Sequence, residues 1–247
     1  MTMPGNLYTI DFHSHILPGV DHGCASTEEF VAQLALMRSS GVDVAVATPH
    51  FYPSQVSVAS FCEAVDQSLA GIESIRKDIT TPELCVGTEV LLCDNIHRMP
   101  QLEKLCIRGT NVLLIEFPFQ GVNSLMFETV EELIHQGYTV VLAHVDRYLP
   151  ALGDGFRSLL EEGVYAQINA TSLLSVFGRK KLLPFLHSDH LVAFGSDLHG
   201  TDPKRCQAFA ALAKHLKFAA KGDESSTDLL REVMNRSMHL LENATRY

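Results

Sequence analysis

At 247 residues, 46% of them hydrophobic and 19% charged, the chain holds enough apolar material for a sizeable core, and one α/β domain spanning 1-247 fits this length. A formal charge of −10 with no run of Lys and Arg argues against nucleic acid as a partner. The N-terminus, Met1-Thr2-Met3-Pro4-Gly5-Asn6, has no basic region ahead of an apolar stretch, and no window nears the roughly 20 apolar residues of a membrane span, so the expectation is a soluble cytoplasmic protein without membrane insertion.

The first strand-like run, Leu7 to Phe12, leads into Asp11-Phe12-His13-Ser14-His15. Two histidines two apart on an extended segment point to the same face and can reach one metal ion. Ser26-Thr27-Glu28-Glu29 has the Ser-x-x-Glu spacing of a helix capping box, opening an apolar-periodic segment that ends near Gly41. A second run, Val42 to Thr48, is followed by Pro49-His50, and a helix from about Val58 to Ile79 keeps Phe61, Val65, Leu69, Ile72 and Ile75 on one face. Leu84 to Glu89 is the third run and ends on a carboxylate. From Val90 to Asn111 the turn signals Asp94-Asn95 and Arg108-Gly109 suggest a short hairpin or insertion.

Val112 to Glu116 again ends on a carboxylate, which in an apolar setting needs a partner or a metal to stay ionised. Tyr138 to Ala143 runs into His144, Val164 to Asn169 leads to no obvious ligand, and Leu191 to Gly195 leads into Asp197-Leu198-His199, a repeat of the opening two-residue spacing. Beyond Asp202, amphipathic helices are expected around Arg205 to Lys217 and Thr227 to Glu242, the second preceded by Ser225-Ser226.

Strands alternating with helices imply parallel pairing, and runs that are apolar along most of their length imply burial on both faces. A closed or nearly closed TIM-like α/β barrel is the favoured fold class, in which the residues at the strand ends converge on a common mouth. A lone histidine at a strand end is more often a hydrogen-bonded structural residue than a ligand. Weight therefore rests on the series: six of the seven runs meet His, Glu or Asp. His97, His135, His187, His190, His215 and His239 fall in helical or loop-like segments and keep the structural reading.

Other chemistries are demoted. Six cysteines are scattered without a Cys-x-x-Cys pair, and none is followed by the spacer and arginine of a cysteine-based phosphatase. A phosphate-binding Gly-x-x-x-x-Gly-Lys loop and a Gly-x-Ser-x-Gly elbow are both absent.

With these positions assembled, the chain resembles the PHP superfamily, named for polymerase and histidinol phosphatase, and within it the bacterial metal-dependent protein-tyrosine phosphatases of capsule and exopolysaccharide operons. The motifs that carry the likeness are Asp11 to Asp21, Ala47-Thr48-Pro49-His50, Gly87-Thr88-Glu89, Leu114-Ile115-Glu116-Phe117-Pro118-Phe119, Ala143-His144 with Arg147-Tyr148, and Gly195-Ser196-Asp197-Leu198-His199. They span about Leu7 to Arg205.

The resemblance implies a distorted barrel of about seven strands holding three divalent metal ions, usually manganese, with iron or zinc possible. Its ligands would be His13, His15, His50, Glu89, Glu116, His144, Asp197 and His199, with His22 as a ninth. Asp21-His22-Gly23 stands where the phosphatase branch usually has Asp-Asp-Gly, so imidazole replaces carboxylate at one position, and Asp21 is the substitute candidate. Val145-Asp146 replaces the usual Pro-Glu, and Lys204-Arg205 stands where one arginine is expected. Arg147 and Arg205 are the candidates for forking onto phosphate oxygens.

The reaction implied is attack on phosphorus by a water shared between two metals about 3.5 to 4 Å apart. The substrate would be a phosphotyrosyl protein, in particular a bacterial autophosphorylating tyrosine kinase. The alternatives are a small-molecule enzyme such as a histidinol-phosphate phosphatase and a non-catalytic interaction module; a nuclease conflicts with the acidic charge.

Overall fold

The computed structural model describes residues 8–79, 81–186, 188–212 and 226–247. Expectations that touched Leu7, His187, His215, Lys217 and Ser225 lie outside those residues.

Strand β1 (Ile10–Ser14) is buried at every position, as are β6 (Val112–Glu116) and β9 (Leu191–Gly195). Alternation is missing because helices or loops cover both faces. The seven predicted runs correspond to nine strands among the described residues. The second run holds β2 (Val44–Ala47), with a short β3 (His50–Phe51) beyond its end, and the third divides into β4 (Glu83–Val86) and β5 (Glu89–Leu91). Each interruption has a physical cause. Pro49 has no N–H to donate, and a Cβ on Gly87 would lie 2.8 Å from Ile107 Cγ1, so this backbone is pressed against a neighbour.

Pairing across the break nevertheless persists, with Gly87 N donating to Ala47 O (2.8 Å) and Glu89 N to Pro49 O (3.1 Å). The result is two parallel sheets, one ordered β1-β2-β4 and the other β3-β5-β6-β7-β8-β9, where β7 is Thr139–Leu142 and β8 is Tyr165–Asn169. They are joined through the bent runs.

The free edges β1 and β9 are tied by a short seam instead of a continuous ladder. Asp197 N donates to His13 O (2.8 Å), His15 N to Leu198 O (3.0 Å), and Ser196 N to the buried Asp11 carboxylate (2.8 Å). Burial lifts the Asp11 carboxyl to about 6. Outside this seam packs the C-terminal helix, α7 (Ser226–Leu240), whose Ser237 hydroxyl donates to Val192 O (2.6 Å) and whose Arg236 donates to Leu191 O (3.0 Å). The segment without a sequence motif is thus the one that covers the join.

Helix α1 (Thr27–Ser39) starts as the capping box predicts: Ser26 Oγ accepts from Glu29 N at 3.3 Å, although the Glu29 carboxylate caps Ala25 N (2.7 Å) instead of the N-cap itself. In α2 (Val58–Asp78), Phe61, Val65 and Ile72 are buried on the expected stripe, with Leu69 and Ile75 packed at its edge. Between Leu91 and Asn111 the structure has two short 3-10 turns, Ile96–Arg98 and Leu102–Leu105, and no hairpin among the described residues. Helices α3 (Ser124–His135), α4 (Leu149–Glu161) and α5 (Val176–Leu186) separate the later strands. Helix α6 (Pro203–Ala210) begins earlier than expected because Asp202 caps it through Lys204 N, with Pro203 in its first turn.

No described helix is long and apolar enough to cross a membrane.

Candidate metal centre

The strand ends converge as the sequence implies. His13 and His15 bring their Nε2 atoms within 3.1 Å of each other. Their other nitrogens are engaged: His13 Nδ1 lies 3.1 Å from Gln167 Oε1, and His15 Nδ1 lies 2.7 Å from Asp21 Oδ2. Since both partners accept, each ring donates from Nδ1 and turns the Nε2 lone pair inward. His199 follows the same pattern, with Nδ1 3.0 Å from the Asp197 carbonyl and Nε2 3.4 Å from His50 Nε2.

Glu89 sits at the middle. Its Oε2 is 2.8 Å from His50 Nδ1 and 3.2 Å from both His13 Nε2 and His15 Nε2, while its Oε1 is 2.8 Å from His144 Nε2. The geometry at Oε2 makes no hydrogen bond with any of the three imidazoles, so this buried carboxylate oxygen has charge contacts there and no hydrogen bond. Glu116 Oε1 is 3.4 Å from His144 Nε2.

Among the described residues, four sets of three donors have their ligand atoms within 4.8 Å of one another: His15, His50 and His199; His13, His15 and Asp197; His13, Glu89 and His144; and His50, Glu89 and Glu116. All eight residues of the expected principal ligand set occur in them. His22 occurs in none. It is exposed at the rim, its ring 5.0 Å from that of His50 and nearly parallel to it, and 4.7 Å from that of His199. Asp21, the substitute candidate, does not point at the cluster. One of its oxygens serves His15 Nδ1 and His50 N (2.9 Å), and the other serves Gly23 N (2.8 Å).

The charge pattern fits cation binding. Burial alone would lift the Glu89 carboxyl, but the imidazoles of His13, His144 and His15 reverse this and hold it well below the usual range. Burial likewise opposes ionisation of Asp197 and is outweighed by His15, His13 and Arg147. In return, the carboxylates overcome burial at His144, raised to about 9, and at His15, raised well above an ordinary imidazole. His199 is pushed down to about 4 by burial and by His15 beside it, which keeps its lone pair free. A site that needs protons on its imidazoles to balance its carboxylates is one in which divalent cations can replace those protons. The mixed imidazole and carboxylate donors suit manganese, iron or zinc.

Backbone strain accompanies the site. His144 (φ 32°) and Asp197 (φ 52°) both occupy the left-handed region, unusual for non-glycine residues. This corrects one expectation: Asp197 and His199 do not repeat the extended geometry of His13 and His15, but reach the cluster from a turned backbone held by the seam. The fit is tight, since a Cβ on Gly195 would lie 2.6 Å from His13 Cβ.

Both phosphate-binding candidates meet Asp197. Arg147, at the end of a 3-10 turn (Val145–Arg147), pairs with Asp197 Oδ2, and Arg205 Nη1 lies 3.0 Å from the same oxygen. Asp197 therefore links the donor cluster to two guanidinium groups through its two oxygens.

Two contributors escaped the sequence reading. Strand β8, the run without a ligand, carries Gln167, whose Oε1 accepts from His144 N (2.6 Å) besides facing His13, and whose Nε2 donates to Asn169 Oδ1 (3.1 Å). Asn169 in turn donates to Asp197 Oδ2 (3.3 Å). Gln-x-Asn inside an otherwise apolar strand was the signal available. The histidines given the structural reading do lie elsewhere: His190 faces Val164 O, His239 faces Glu242, and His97 and His135 belong to a 3-10 turn and a helix end.

Because Asp21 acts through His15, Asp21→Asn is expected to fold normally and lose metal affinity about 10- to 100-fold, read by titration of metal into metal-free protein. Unchanged affinity would show that the Asp21–His15 bond has no part in orienting the ring.

The family described as "Capsular polysaccharide synthesis, CpsB/CapC" matches residues 9–238. The chain is 29% identical to tyrosine-protein phosphatase CpsB of Streptococcus pneumoniae, over 86% of the chain and 92% of that protein. It is 30% identical to tyrosine-protein phosphatase YwqE of Bacillus subtilis (strain 168), over 82% of each. A crystal structure from the work on YwqE and CpsB, described there as metal-dependent tyrosine phosphatases, superposes with a TM-score of 0.77 at 25% identity, covering 97% of both chains.

Proposed function

The chain belongs to the CpsB/CapC family of capsular polysaccharide synthesis, and on that footing we propose that it is a metal-dependent protein-tyrosine phosphatase, built as one domain over residues 1–247. The observation that carries this reading is Glu89 Oε2, buried without a hydrogen bond among the nitrogens of His13, His15 and His50. A buried carboxylate oxygen without a hydrogen bond costs free energy that a coordinated cation recovers.

We assign His13, His15, His50, Glu89, Glu116, His144, Asp197 and His199, with His22 at the rim, to three divalent ions, manganese by preference. Bound there, such ions supply Lewis acidity toward phosphate oxygens and a nucleophile at neutral pH. Arg147 and Arg205 donate to the phosphate oxygens, exchanging part of their pairing with Asp197 for the substrate. Asp197 keeps both guanidinium groups beside the donor cluster. Phenolate, with a pKa near 10, leaves with less need of a proton than an alkoxide.

The side of the cluster formed by His22, His50, His199 and the two arginines is the open one, with the side chains of His199, Arg205 and Arg147 24%, 28% and 30% exposed. Exposure on this side lets a phosphorylated side chain carried on a protein reach the arginines. The relatives named as tyrosine-protein phosphatases support a phosphotyrosyl protein as substrate, and our reading extends this to a cytoplasmic autophosphorylating tyrosine kinase. A manganese-loaded preparation should show a higher kcat/KM on a phosphotyrosyl peptide than on histidinol phosphate. The reverse preference would favour a small-molecule enzyme, and no turnover with a metal-to-protein ratio near zero would favour a non-catalytic module.

At His22 the expected result is specific. His22→Asp keeps phosphotyrosine hydrolysis but changes which metal supports it best, since carboxylate favours harder ions than imidazole does. Identical rates and metal contents across manganese, iron and zinc would show that this side chain contacts no ion.

A further inference from the structure

One large side chain beside the site is left uncovered. Phe119, three residues past the end of β6, is 73% exposed, whereas Phe117 in the same Glu-Phe-Pro-Phe run is 1% exposed and packs near Phe127. An isolated exposed aromatic is ordinary on a protein surface; the position of this one is not. The Arg147 guanidinium carbon lies over the Phe119 ring at 6.0 Å, and the Tyr148 ring lies 6.1 Å from it. Tyr148 is buried, its ring 5.4 Å from that of His144 and its hydroxyl 3.4 Å from Glu116 Oε1. The rings of Phe119, Tyr148 and His144 thus form a series from solvent to the donor cluster, with Arg147 alongside.

Resting on the phosphatase reading above, we propose that Phe119, held by Arg147 and Tyr148, is the specificity-determining residue that receives the aromatic ring of the substrate. Arg147 serves both ends of this arrangement. Its guanidinium pairs with Asp197 at the cluster, where a phosphate would lie, and its plane borders Phe119. In an aryl phosphate the ring is one ester oxygen from phosphorus, so a phosphate held by Arg147 leaves that ring beside the exposed face of Phe119. An alkyl ester such as phosphoserine offers nothing to stack there. Aromatic pairing of this kind discriminates modestly, by about 3- to 10-fold.

The test uses metal-loaded full-length protein and two non-hydrolysable competitors, benzylphosphonate, whose methylene stands in for the ester oxygen, and ethylphosphonate, against turnover of a phosphotyrosyl peptide. Phe119→Ala should raise the Ki of benzylphosphonate and the peptide KM about 3- to 10-fold, leave the Ki of ethylphosphonate and the metal content as they were, and leave kcat nearly unchanged; Phe119→Tyr should restore both. An equal rise for both phosphonates, or none for either, overturns the aryl subsite while wild-type turnover still supports the phosphatase. Absence of wild-type turnover on the peptide overturns the phosphatase reading and this subsite together.

Discussion

Removing divalent metal from the purified protein by exhaustive chelation is expected to cut phosphotyrosine hydrolysis by about a thousandfold or more, and alkylating its thiols is expected to leave activity intact. The first half follows from the donor cluster: without cations, the imidazoles and carboxylates around Glu89 neutralise one another through protons, and nothing in the site generates a nucleophile. The second follows from the cysteines. All six are free, and burial pushes the thiols of Cys24, Cys106 and Cys206 up to about 12. Cys62, Cys85 and Cys93 are raised as well, burial being the main cause at each. A nucleophilic cysteine requires the opposite shift. Rates measured before chelation, after it, and after adding back manganese check the first half; full activity surviving chelation would sink the metal mechanism.

The second large effect is expected at Glu89. Its carboxylate lies within 3.2 Å of His13, His15, His50 and His144, so its charge faces four imidazoles of the cluster at once. Glu89→Gln keeps the shape and removes the charge. It also places an amide that donates hydrogen bonds where lone pairs from several rings converge. Metal content by elemental analysis should fall below that of wild type, and kcat/KM on phosphotyrosyl peptide should drop about a thousandfold. Far-UV circular dichroism should show the fold retained, because the strand itself is secured by pairing of β5 with β3 and β6. A variant with full metal content and full activity would remove Glu89 from the centre of the site.

The donor set was legible because burial makes it conspicuous. A His or Glu at the end of an apolar run has few reasons to be there, and His13, His15, His50, Glu89, Glu116, His144, Asp197 and His199 each stand at such an end. Strands alternating with helices, and the parallel pairing this implies, are enough to say that they share a mouth. Second contributors were less visible. Gln167 and Asn169 are neutral and unremarkable as residue types, and their importance lies in hydrogen bonds to His13, His144 and Asp197 that are far apart in the chain. The sequence offers Asp21 as a substitute ligand; its bond to His15 emerges only from the loop's path.

From sequence alone came the parallel α/β class, the positions of most strands and helices, and the chemistry of the strand-end residues, since these depend on local periodicity and on the cost of burying polar groups. Tertiary structure decided the bend at Gly87 against Ile107, the seam between β1 and β9 under α7, the left-handed backbone that aims Asp197, and the pairing of Asp197 with both arginines. Those features are set by contacts between segments far apart in the chain, whose mutual distances no local pattern encodes.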